Sequence, residues 1–183
     1  MERQTETAAA RSTEASQFGR AASAPADGVY VLDARRSRLG FRAKAFCLRW
    51  VTGTLGPTSG EVIVEGGIVR GHGTANAAAV DTGLTPRDWH LRTSHYLHTA
   101  KHPAVGLRVE RCHLDSRQAE ARLEVRDGIA SVPLTIDEVQ TLGDELRLKI
   151  SGSFDRRGLG MLPRVAGVSR MVHLDLDLVA TRR

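Results

Sequence analysis

Over residues 119–126 small or apolar side chains alternate strictly with charged ones: Ala119, Ala121, Leu123 and Val125 against Glu120, Arg122, Glu124 and Arg126. Successive side chains of a strand point to opposite faces, so this stretch has one apolar and one charged surface. A helix would scatter the same residues around its circumference and give no coherent face. The pattern recurs in Leu39, Phe41 and Ala43 against Arg38, Arg42 and Lys44, in Leu146, Leu148 and Ile150, and in Val172, Leu174, Leu176 and Leu178. A chain built of such strands must fold with one side of a sheet in water and the other against a core.

Further strands are expected at about 28–33, 50–55, 61–65, 68–80, 105–114 and 129–139. Gly56-Pro57, Gly66-Gly67, Asp127-Gly128 and Gly143-Asp144 supply turn signals between them. Nine or ten short strands with little helix predict an all-β fold, a single antiparallel barrel or sandwich. One segment breaks the alternation. Thr85-Pro86-Arg87-Asp88 suits a helix start, with Thr85 as N-cap, Pro86 in the first turn and Asp88 completing a capping box, and the helix should run to about Tyr96. A lone helix among strands suits a lid or plug at one end of a barrel.

The chain of 183 residues is long enough for one such domain, expected over 28–183. Residues 1–27, rich in Ala, Ser, Thr, Glu and Arg, have no apolar core segment and read as a disordered extension rather than a secretory signal. A cytoplasmic location is the expectation. No apolar run approaches the ~18 residues that span a bilayer. The formal charge of +5 comes mostly from arginines spread along strands, which fits a solvated exterior better than a nucleic-acid surface. Cys47 and Cys112 lie far apart in the sequence and read as free thiols.

An eight-stranded barrel has room for its own side chains or for one small ligand. Several inward candidates are small (Ala43, Ala75, Ala77, Ala119, Ala121 and Gly152), and aromatics make up only 4% of the chain, so an underfilled apolar interior is one outcome. A tightly twisted, filled barrel is the other.

Several phrases, taken in order, resemble the YceI family of polyisoprenoid-binding, lipocalin-like proteins. They begin with Tyr30-Val31-Leu32-Asp33, Ser37-Arg38-Leu39-Gly40-Phe41 and Val51-Thr52-Gly53-Thr54-Leu55. Val80-Asp81-Thr82-Gly83 and Arg87-Asp88-Trp89-His90-Leu91-Arg92 follow, then Lys101-His102-Pro103 and Asp155-Arg156-Arg157-Gly158-Leu159-Gly160. The resemblance covers 30–180 and implies an antiparallel lipocalin-like barrel holding an apolar molecule along its axis. That molecule would be an isoprenoid, an isoprenoid quinone or a fatty-acyl chain. The chain departs from the family's pattern at Arg36, at His95-Tyr96-Leu97-His98, at Ala104-Val105-Gly106-Leu107 and at Gly158-Leu159-Gly160, and three of these departures remove phenylalanines.

On this reading Phe41, Ala43, Leu123, Leu134, Ile150 and Phe154 line the interior, with Trp89 and Tyr96 near the lid. Arg87, Asp88, His90 and Arg92 would serve a ligand head group, or fasten the helix to strand ends. The expected function is a non-catalytic binding or carrier protein with no cofactor beyond a bound isoprenoid or quinone, and a homodimer is compatible with it. Two alternatives come from the residues themselves. His90, His95, His98 and His102 form a dense histidine cluster of the kind that binds zinc, copper or nickel. A filled barrel would instead act as an interaction scaffold. No sequence motif assembles a nucleophile with its base, and Gly71-His72-Gly73 reads as a bend rather than a catalytic base.

Overall fold

The computed structural model describes residues 24–46, 48–161 and 167–183. The expectation for 1–27 therefore falls largely outside the described residues, as does Cys47. Nine antiparallel strands are present: β1 (Gly28–Leu32), β2 (Arg38–Ala45), β3 (Arg49–Glu65), β4 (Ile68–Asp81), β5 (Ala104–His113), β6 (Gln118–Val125), β7 (Gly128–Leu142), β8 (Glu145–Asp155) and β9 (Val168–Arg182). The one α-helix among the described residues, α1 (Thr85–Arg92), follows β4.

Pairing closes the sheet on itself. From β3 to β9 each strand pairs with the next in sequence, while β1 and β2 both pair with β3 on one side and β9 on the other. The two short strands run in the same direction along β9, with Leu32 opposite Ala180 and Arg38 opposite Asp177, so they form one interrupted stave of an eight-stave barrel. Among the described residues closure leaves no full-length sheet edge to recruit another chain.

The alternation legible in β6 produces its burial pattern directly. Ala121, Leu123 and Val125 are buried, while Glu120, Arg122 and Glu124 face water. Each Val or Leu removed from water in this way contributes roughly 1.5–3 kcal/mol before chain entropy is charged against it. β3 corrects the sequence reading: Gly56-Pro57 is not a turn but part of one long strand. Two register irregularities against β4, between Thr54 and Gly56 and between Pro57 and Ser59, absorb the proline. Bulges are where a strand tolerates proline without losing its neighbours.

The interior has two apolar clusters. Tyr30, Val64, Leu146, Leu148 and Ala180 form a floor, beside the β3–β4 and β7–β8 turns. A larger cluster fills the barrel from its middle to the opposite end, where Phe154, Leu159 and Met161 close over Ala77, Val105, Val125 and Val132. Antiparallel order sends the β2–β3 hairpin, α1, the β6–β7 turn and the β8–β9 connection to this upper end.

Candidate ligand cavity

Between floor and upper plug lies a cavity of about 170 Å³ walled by aliphatic side chains, among them Leu32, Leu39, Leu55, Leu107, Leu174 and Leu176. Its space is traceable to residues that have no side chain. On β4 the inward positions read Val69, Gly71, Gly73, Ala75, and both glycines border the void. A Cβ on Gly73 would lie 3.5 Å from the Ser59 carbonyl oxygen and one on Gly71 3.4 Å from that of Glu61, ordinary contacts that force no glycine. Gly53 and Gly152 differ. A Cβ there would fall 2.4 Å from Phe41 Cζ and 2.6 Å from Leu134 Cδ2 respectively. Those two glycines yield their volume to neighbouring side chains, whereas Gly71 and Gly73 leave theirs empty.

The wall has one irregular sector. Gly56, Pro57, Ser59 and Gly60 of β3 have β-ladder partners on β4 but none on β1 or β2, where the first stave is interrupted. Leu32, Leu39, Ser59 and Gly60 surround this break and all border the cavity. Cys112 also borders it, buried, with its Sγ donating to the Gln118 carbonyl at 3.3 Å. Burial pushes its thiol pKa up, which makes it a poor nucleophile.

Residues 30–180 match the family model of the YceI-like domain. The chain belongs to the YceI-like domain family. Solved structures show the same fold at low identity. BcnA of Burkholderia cenocepacia superposes with a TM-score of 0.71 at 15% identity, over 82% of this chain and 99% of that one. A polyisoprenoid binding domain from Saccharophagus degradans, implicated in plant cell wall breakdown, gives 0.64 at 17% identity, over 86% and 100%. A YCEI protein of Campylobacter jejuni gives 0.54 at 14%, over 73% and 85%. No curated protein matches the chain.

In this YceI-like barrel, Phe41, Leu123, Leu134 and Ile150 border the cavity, while Ala43, Trp89, Tyr96 and Phe154 do not. Phe154 belongs to the upper plug and Tyr96 is buried at the same end. Ala43 lies too far along β2, at the level of Val51 and Val172. Trp89 is 68% exposed on α1 and does not border the void.

The helix differs from its expected form for a local reason. Leu84 rather than Thr85 occupies the N-cap, no side chain caps it, and the helix ends at Arg92 rather than near Tyr96. Asp88 does not bond back to the cap. It is buried, and its Oδ1 accepts from the Thr82 backbone N–H at 2.9 Å and from the Thr82 hydroxyl. Arg87 donates to Thr82 Oγ1 and to the Thr82 carbonyl, both at 2.7 Å. Arg92 donates to the carbonyls of Ala78 at 2.9 Å and Val80 at 3.0 Å. These three side chains fasten α1 to the end of β4, and none borders the cavity; the head-group role expected of them has no geometric support. His90 is exposed and packs beside Tyr96, with ring centroids 5.3 Å apart.

The histidines separate into two neighbouring pairs, His90 with His95 and His98 with His102. Among the described residues no three His, Cys, Asp or Glu side chains converge as a metal-binding group. His72 is exposed and stays in register with Glu61 on β3, while the pairing with β5 shifts register between Val69 and Gly71. No helix of the described residues is long and apolar enough to cross a membrane.

Sequence reasoning missed Arg156. It is buried under the upper end and donates to three carbonyls: Met161 at 2.7 Å, Ser169 at 2.8 Å and Val168 at 2.9 Å. Desolvation pulls its pKa down from the usual arginine value. The signal was its place in the Asp155-Arg156-Arg157-Gly158 phrase, but only the fold reveals the three acceptors.

Proposed function

We propose that this protein binds an apolar small molecule inside its barrel and performs no chemistry on it. The carrying observation is the aliphatic cavity left open by Gly71 and Gly73. Dry apolar voids of ~150 Å³ take up a molecule the size of benzene. The void here, about 170 Å³, is below the ~300–1,000 Å³ usual for drug-sized ligands. It accommodates a short segment of an isoprenoid, quinone side chain or fatty-acyl chain, and a longer ligand would have to displace Leu159 and Met161 from the upper plug. The family membership and the polyisoprenoid-binding description of the Saccharophagus degradans domain support an isoprenoid as the first class to try.

Transfer out of water supplies the affinity, on the order of 25 cal/mol per Å² of apolar area before association costs. The test compares the wild-type protein with Gly73→Leu, which places a side chain in the void. Solvent extraction and native mass spectrometry should recover an apolar molecule from wild type and none from the variant. Titration with N-phenyl-1-naphthylamine should show binding weakened at least about tenfold, the loss of ~1.4 kcal/mol of burial. A wild-type barrel that yields no apolar molecule and binds no probe would sink the reading.

A further inference from the structure

Seven large hydrophobic side chains are exposed among the described residues, and six of them stand at the upper end of the barrel. Phe46 (69% exposed), Leu48 (92%) and Trp50 project from the β2–β3 hairpin. Leu84 and Trp89 stand on and beside α1, and Ile129 follows the β6–β7 turn. At the opposite end only Leu142 is exposed. Apolar groups held in water at one end of a closed barrel gain by reaching an apolar medium outside it.

The hairpin also carries charge of one sign. Arg42, Lys44 and Arg49 lie on it without any acidic residue between them. Arg42 pairs with Asp175 on β9 at 3.3 Å, whereas among the described residues Lys44 and Arg49 meet no carboxylate within ion-pair distance. Arg42 and Lys44 sit 5.2 and 5.1 Å from the Trp50 ring centroid, and His173 meets the ring edge-on. Phe46 takes a left-handed backbone (φ 51°), and its ring lies where a side chain on Gly167 would otherwise stand.

From this arrangement we propose that the upper end docks on an anionic lipid surface, with Phe46, Leu48 and Trp50 entering the acyl boundary and Lys44 and Arg49 meeting lipid phosphates. Aromatic rings and leucine beside cations are the side chains that partition to that boundary. A nucleic acid would satisfy the two cations but would offer nothing to the exposed Phe46 and Leu48. Docking by this end brings the upper plug, rather than the floor, against the membrane. The surface stands whether or not the cavity holds a ligand.

The chain supplies its own reporter, because its two tryptophans, Trp50 and Trp89, both lie at this end. The full-length protein carrying Trp89→Phe would be mixed with phosphatidylglycerol–phosphatidylcholine vesicles, plain or dibrominated. The expected result is co-sedimentation, a blue-shifted Trp50 emission and its quenching by brominated lipid. Serine at Phe46 and Leu48 should lower partitioning at least about tenfold. Lys44→Glu and Arg49→Glu should each lower it at least about fivefold on anionic vesicles, and raised salt should do the same. Leu142→Ser at the far end should change nothing, and circular dichroism would show that each variant folds. No sedimentation, sedimentation without Trp50 quenching, or binding that survives the serine variant would overturn the proposal. So would sedimentation equilibrium showing that Phe46 and Leu48 are buried between two copies. Repeating the assay with Gly73→Leu separates this surface from the cavity, since a filled barrel should still bind vesicles.

Discussion

The two ends of the barrel are closed by different means. At the floor, short connections such as Gly66-Gly67 and the Gly143 turn let Tyr30, Val64, Leu146 and Ala180 pack directly against one another. Tyr30 satisfies its one polar atom by donating to the Ala26 carbonyl at 2.8 Å. At the upper end two connections are long, β4–β5 and β8–β9, and closure needs a helix, the Arg156–Leu159 turn and buried charge. There Arg126 reaches the carbonyls of Tyr96 at 3.2 Å and Gly160 at 3.3 Å, joining the segment after α1 to the turn after β8. An apolar floor fails by losing volume, whereas a hydrogen-bonded cover fails by leaving acceptors unpaired.

The largest effect expected from breaking this contrast is at the floor. Tyr30→Ala removes a fully buried ring, and its cost should be about 4 kcal/mol by urea denaturation. Hydrogen exchange should then quicken throughout the molecule, because the floor strands anchor the closure. Arg156→Ala should cost somewhat less, about 3 kcal/mol, since three carbonyls lose their donor but some regain water. Its exchange should quicken first in the β8–β9 connection, with the floor amides changing least. Equal quickening at both ends in the two variants would show one cooperative unit and dissolve the distinction.

A smaller effect tests the upper end by pH. The Asp155 carboxyl, bound by Arg157, is held down to about 2 from an ordinary 3.8. A depressed pKa means that its stabilising contribution is complete above about pH 4 and is lost as pH falls toward 2. Carboxyl NMR should show a midpoint near 2 in the folded protein, and Arg157→Ala should raise it toward 3.8. The ion pair is exposed, so thermal stability at neutral pH should barely move with that variant.

The strands were legible because alternation is a local property, and β6 and β9 show it in consecutive residues. The continuity of β3 through Pro57 was not, since a proline reads as a break until the β4 partner that absorbs it is known. Four of the residues expected inside border the cavity, all on strands, whereas Trp89 on the helix and Tyr96 just after it do not. A strand's inward face follows from its own pattern, but a helix laid across a barrel end takes its orientation from the strand that receives it. Gly71 and Gly73 suggested a bend because an absent side chain says nothing of what occupies its place. That requires the facing strands.

The interrupted first stave has a consequence for synthesis. β1 and β2 sit near the start of the described residues, yet their partner β9 is the last of the described strands. Until residues 168–182 emerge from the ribosome the growing sheet stays open along two edges, and its apolar face has no opposite wall. Such non-local pairing is slow to form and prone to stray association while it waits. The charged residues that alternate along the outer faces would then serve the nascent chain before they serve the finished one, keeping half of every unfinished strand wet.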